Sequence, residues 1–124
     1  MLNKAIILVA EDEPFIALDV ALAIEDAGGR VLGPAASVQQ ALALIKANTV
    51  GAAILDVNLT DGEITPVAEL LHARGIPMVL QSGVGLPTAL SAQFPDMEFV
   101  MKPCEGAKLV ARLGKIFRTL NDDR

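Results

Sequence analysis

Two hydrophobic patterns alternate along this chain. The first is the short continuous apolar run, seen at residues 5–10, 31–32, 52–55, 78–80 and 99–101. Runs of this length bounded by turn residues read as strands covered on both faces, as in a parallel sheet. The second is a helical stripe between the runs. Ile16, Val20, Ala23, Ile24 and Ala27 share one face of a helix that opens near Pro14 and stops at Gly28-Gly29. Ser37 with Gln40 forms a capping box ahead of Val38, Ala41, Leu42 and Ile45. Thr65-Pro66 reads as an N-cap followed by proline at the first helical position, with Val67, Leu70 and Leu71 facing inward and Gly75 as the stop. Gly83, Gly85 and Pro87 restrict the fourth helix to residues 88–93. Leu109, Leu113, Ile116, Phe117 and Leu120 line the last helix, and residues 121–124 read as a frayed tail.

Five strands alternating with helices predict five βα units and an α/β fold with a parallel sheet. Without a linker, repeat or low-complexity segment, residues 1–124 are expected to form one domain with no separate output domain. The chain is 52% hydrophobic but only 3% aromatic, so its core must be built from Ala, Leu, Val and Ile. A formal net charge of −5 argues against general nucleic-acid binding, which needs a basic footprint. No apolar run reaches the length of a membrane span and no signal-peptide layout opens the chain. The single Cys104 cannot form an internal disulfide and fits a reducing compartment. These features predict a small soluble cytoplasmic domain.

Charge changes the picture at the strand ends. The first strand runs into Glu11 and Asp12, the third into Asp56, the fourth into Ser82 and the fifth into Lys102. In an open parallel sheet the carboxyl ends lie on one edge, where ligand crevices form. Each residue alone has a plain structural explanation as a cap, a turn or a solvated end; together they cluster where that explanation predicts no clustering. Three carboxylates within about 5 Å repel by roughly 3 kcal/mol per pair at an effective dielectric of about 20. A cation or a proton must relieve that repulsion. All-oxygen ligands on an open edge suit Mg²⁺. With a lysine and a hydroxyl nearby, this is an arrangement for phosphoryl transfer to Asp56. A cis Lys102–Pro103 bond would aim the ammonium into the site.

Ile7-Leu8-Val9-Ala10-Glu11-Asp12-Glu13-Pro14, Ile54-Leu55-Asp56-Val57-Asn58-Leu59, Leu80-Gln81-Ser82-Gly83 and Val100-Met101-Lys102-Pro103 follow in order and with spacing intact. Over its whole length the chain resembles the receiver domains of two-component response regulators. The resemblance implies the flavodoxin-like, doubly wound sheet of order 2-1-3-4-5, known for that fold. It also implies that Asp56 accepts a phosphoryl group from a sensor histidine kinase or a histidine phosphotransfer protein. Asp12 would ligate Mg²⁺ directly, Glu11 largely through water, and the Asn58 backbone carbonyl would complete the protein's ligands. Lys102 would pair with the phosphoryl group and Ser82 would move toward it, while Phe99 matches the family's switch aromatic. Asn58 and Val84 occupy the positions that tune dephosphorylation; Val84 cannot orient water, so phosphoryl loss should be slow to intermediate. A downstream protein target is implied, without nucleic-acid or membrane binding.

Several residues depart from the family pattern. The stretch between Ser82 and Lys102 is short and rich in Gly and Pro, so a short or irregular fourth helix is expected. Phe99 lacks a tyrosine hydroxyl, so its two states must differ by packing. Cys104 reads as a small packed hydrophobe. Lys108, Arg112, Lys115 and Arg118 form a cationic side on the last helix, read as a solvated face with a docking stripe for an acidic partner as the alternative. His72 is read as solvent-facing and inert. The composition leaves room for a weak homodimer through the fourth- and fifth-helix surface. Two other functional readings stand beside the switch. One is a degenerate receiver serving as a constitutive interaction module. The other, a haloacid-dehalogenase-like phosphatase, is disfavoured because position 58 is Asn rather than Asp and the acidic pair precedes the nucleophile.

Overall fold

A computed structural model describes residues 2–122, with side chains described through residue 119. The elements are β1 (Ile6–Ala10), α1 (Pro14–Asp26), β2 (Arg30–Ala35), α2 (Val38–Ala47), β3 (Ala52–Asp56), β4 (Asn58–Leu59), β5 (Gly62–Glu63), α3 (Thr65–Ala73), β6 (Met78–Ser82), α4 (Thr88–Gln93), β7 (Glu98–Met101) and α5 (Gly106–Asp122). The main sheet has five parallel strands in the order β2-β1-β3-β6-β7, and β4 and β5 form a separate two-stranded hairpin. With that hairpin set aside, the order is the 2-1-3-4-5 of the flavodoxin-like fold.

Side-chain alternation divides the apolar runs between two cores. Ile7, Val9, Ala52, Ile54 and Val79 face α1 and α5, where they pack with Val20, Ile24, Leu109 and Leu113. Leu8, Ala10, Ala53, Leu55 and Leu80 face the other way, against Ala41 and Ile45 of α2, Val67 and Leu71 of α3, and Leu90 of α4. Burial on both faces is what makes these strands continuous rather than alternating in hydrophobicity.

The expected helices form with small corrections. Ser37 Oγ accepts from Gln40 N–H at 3.0 Å and Gln40 Oε1 accepts from Ala36 N–H at 2.8 Å, closing the capping box in both directions. Thr65 is not the cap of α3 but its first residue; Ile64, whose side chain is fully buried, holds the cap position without a side-chain hydrogen bond. Helix α5 continues through Asp122, so Asn121 and Asp122 belong to the helix rather than to a frayed tail; 123–124 lie outside the described residues. Helix α4 has only six residues, the short helix that the Gly/Pro content implies. Pro34 lies within β2, tolerated because β2 is an edge strand.

Candidate metal and phosphoryl-transfer site

Four strands aim one residue each into the same place. Val9, Ile54, Val79 and Val100 belong to the α1/α5 layer, so two residues further on Glu11, Asp56, Gln81 and Lys102 project from that same face. Asp56 pairs in register with Gln81, and Gln81 with Val100. The strand ends are laced together: Val57 N–H donates to the Gln81 carbonyl at 2.9 Å and Lys102 N–H to the Ser82 carbonyl at 2.9 Å.

Glu11 and Asp56 are almost wholly buried, at 2% and 4% exposure, and Asp12 is half-buried. One carboxylate oxygen from each of the three lies within 4.8 Å of the others. Lys102 Nζ reaches over to Asp56 Oδ2 at 3.0 Å and to Glu11 Oε1 at 3.1 Å. Glu11 Oε2 accepts from Glu13 N–H at 3.2 Å, and Glu11 Oε1 also accepts from Gln81 Nε2 at 3.2 Å. Asp56 Oδ1 accepts from Asn58 N–H at 3.3 Å.

Electrostatics follow from this packing. Burial pushes the Glu11 carboxyl up to about 7; the Glu13 N–H opposes the rise, Asp56 adds to it, and the Lys102 bond offsets part of it. For Lys102, partial burial by itself would lower the value, but the hydrogen bonds and charges of Asp56 and Glu11 outweigh it and hold the ammonium above its ordinary value. One ammonium balances only one of three carboxylates. The donor set is all oxygen, without imidazole or thiolate, and Asp12 keeps one side open. That chemistry fits a small hard cation that retains part of its water.

The strand-end pattern puts Glu11, Asp12, Asp56, Ser82 and Lys102 on one edge; Glu11, Asp12, Asp56 and Lys102 converge, but Ser82 does not join them, because it falls on the other face of its strand. Ser82 is fully buried, and its Oγ accepts from Val84 N–H at 3.1 Å. Alternation sets it on the Leu80 side of the sheet, opposite Gln81. Phe99, half-buried, packs into the core on that same side. The Asn58 side chain is exposed, and only its backbone meets Asp56. Val84 is 85% exposed. The Lys102–Pro103 bond is cis. Cys104 is partly buried against the α1/α5 core. Lys108, Arg112, Lys115 and Arg118 are exposed, with Arg112 paired to Glu98 at 3.2 Å. His72 is exposed as expected, although its ring lies against Phe94 with centroids 4.4 Å apart.

Two features escaped the sequence reading. One is Gln81, whose signal was a polar residue closing an otherwise apolar run. The other is a second stripe on α1, Phe15, Leu18 and Leu22, exposed by 88%, 56% and 57%. Their i, i+3, i+7 spacing was visible, but it lies off the stripe that packs inward.

The sheet order and the acid–lysine cluster at its carboxyl edge define a flavodoxin-like receiver fold. No protein-family profile matches the sequence, and no curated protein does. Solved structures do match. A response regulator receiver domain protein (CheY-like) from Methanospirillum hungatei JF-1 superposes with a TM-score of 0.84 at 22% identity, over 97% of this chain and 98% of that one. The BeF3-activated conformation of SdrG from Pseudomonas melonis Fr1 gives a TM-score of 0.71 at 38% identity, over 94% and 99%. The response regulator PhyR from Brucella abortus gives 0.73 at 27% identity, covering 95% of this chain and 50% of PhyR. The chain belongs to the CheY-like response regulator receiver family.

Proposed function

We propose that this protein is a phosphorylation-dependent signalling switch in which Asp56 takes a phosphoryl group from the phosphohistidine of a sensor histidine kinase or a histidine phosphotransfer protein. The observation that carries this reading is Lys102 Nζ at 3.0 Å from Asp56 Oδ2 inside a three-carboxylate cluster. An Asp56 oxygen forms the new O–P bond as the N–P bond of the donor breaks. The imidazole leaves with the bonding pair and takes up a proton. Mg²⁺ would be held by Asp12, Asp56 and the Asn58 backbone carbonyl, with Glu11 acting largely through water, and when bound it neutralises charge on the transferring phosphoryl oxygens. Lys102 leaves Glu11 to pair with those oxygens.

Phosphorylation adds about −1.5 to −2 of charge and three acceptor oxygens. Among the described residues Ser82 Oγ accepts from Val84 N–H and donates to nothing, so its hydroxyl proton is free to follow the new acceptor. Phe99 then repacks on the Ser82 side of the sheet, and the altered surface selects a downstream protein target. The chain catalyses only its own phosphorylation and dephosphorylation, and the reducing, Mg²⁺-containing cytoplasm suits it. The constitutive-module reading is disfavoured because every residue of the site is present. Adding beryllofluoride with Mg²⁺ tests the switch by NMR. Resonances of Ser82 and Phe99 should move along with those of Asp56, and Asp56→Asn should abolish the shifts at Ser82 and Phe99. Shifts confined to residues 11, 12 and 56 would leave a site without a switch.

A further inference from the structure

Gln81 is 1% exposed, and its side chain lies between Asp56 and Lys102 on the site face of the sheet. Its Nε2 donates to Glu11 Oε1 at 3.2 Å, across the intervening strand β3. Its Oε1 is the one buried side-chain polar atom among the described residues without a partner. An apolar side chain of the same shape would avoid that desolvation cost, so packing alone does not account for a glutamine here.

We infer that Gln81 is a positioning residue for the divalent-cation site, holding the Glu11 carboxylate in place and offering its free carbonyl to a water of the cation's hydration shell. Glu11 Oε1 has two donors, Gln81 Nε2 and Lys102 Nζ. Once Lys102 turns to a phosphoryl group, Gln81 is the donor that stays. Waters bound to a cation can only donate hydrogen bonds outward, and Mg²⁺ keeps several of them. A buried carbonyl with a free lone pair, on an amide already bonded to a ligand carboxylate, supplies a matching acceptor. Outer residues that orient metal ligands typically change metal affinity by about 10–100-fold. The inference rests on the reading of Glu11, Asp12 and Asp56 as a cation site.

Calorimetric titration of the unphosphorylated protein with Mg²⁺, before and after Gln81→Met, tests it. The variant keeps the volume and removes both polar atoms. Its Mg²⁺ dissociation constant should rise about tenfold, while its thermal midpoint in chelator should equal or exceed that of the parent. Equal Mg²⁺ affinity in parent and variant overturns the inference, as does a loss of midpoint in chelator with unchanged affinity. Side-chain amide resonances of Gln81 in the parent give a second test that needs no variant: they should shift along the Mg²⁺ binding curve, and unmoved resonances contradict the role. A parent that shows no saturable Mg²⁺ binding fails the cation-site reading itself, and the role of Gln81 with it.

Discussion

At Glu11 the cost of burying a carboxylate becomes measurable. Its ordinary value of 4.5 rises to about 7 in the folded protein. Between those pH values the native state binds more protons than the unfolded chain, so this residue's contribution to stability falls as pH rises. That contribution is full below the unfolded value and lost by the time pH has passed the folded one. In chelator, the denaturation midpoint of the parent relative to Glu11→Gln should therefore drop from pH 4.5 to pH 7. A difference that is flat or rising across this window contradicts the assignment. Val84 makes a kinetic prediction at the same scale. Exposed and apolar, it cannot hold a water in line with a phosphoryl group, so phospho-Asp56 should persist for minutes or longer in Mg²⁺. Loss within seconds, followed by intact mass, would count against that. Glu11, Asp12, Asp56 and Lys102 were legible in sequence because a charged residue ending an apolar run stands out. Gln81 was not, because an uncharged polar residue in the same position reads as the start of a turn. Only the strand register shows it facing Glu11.

The elements were legible wherever burial imposed a period. All five sheet strands and all five helices fall where the apolar runs and stripes put them. The β4–β5 hairpin was not foreseen as strands, because its two-residue partners carry no run. It is fixed from outside. Ile64 N–H bonds the Val57 carbonyl at 2.8 Å, Thr60 Oγ1 donates to the Ala36 carbonyl at 3.0 Å, and the Asp61 carboxylate accepts from Val38 and Gln39 N–H at the start of α2 at 2.6 and 3.1 Å. Those two N–H groups hold Asp61 below the usual carboxylate range. The start of α5 was equally hidden. Gly106 N–H donates to Asp19 Oδ2 at 2.7 Å, and a Cβ on Gly106 would lie 2.7 Å from the Asp19 carbonyl oxygen. That oxygen belongs to helix backbone and cannot step aside cheaply. Gly106→Ala should lower the unfolding free energy by about 1–3 kcal/mol, read from denaturant midpoints. An unchanged midpoint would show that α1 and α5 separate freely.

At the scale of the molecule, two cores clamp one sheet and leave its carboxyl edge for chemistry. No helix is long and apolar enough to cross a membrane among the described residues. Three of the five large apolar side chains exposed among the described residues, Phe15, Leu18 and Leu22, lie on α1, which begins just after Glu11 and Asp12. Exposed apolar stripes of this kind mark contact surfaces, and the proposed phosphotransfer from a protein donor to Asp56 would use this one. Phe15→Ala with Leu22→Ala should slow phosphotransfer from a protein donor by about tenfold or more, while phosphorylation by a small acyl phosphate stays within about twofold. Equal losses with both donors would place the effect in the site rather than in docking.

Whether Asp56 accepts a phosphoryl group can be read from the intact mass of the protein after incubation with Mg²⁺ and a small acyl phosphate. A mass gain of one phosphoryl group is expected, absent in chelator and absent in Asp56→Asn. A gain that survives Asp56→Asn, or no gain in the parent with Mg²⁺ present, would contradict it.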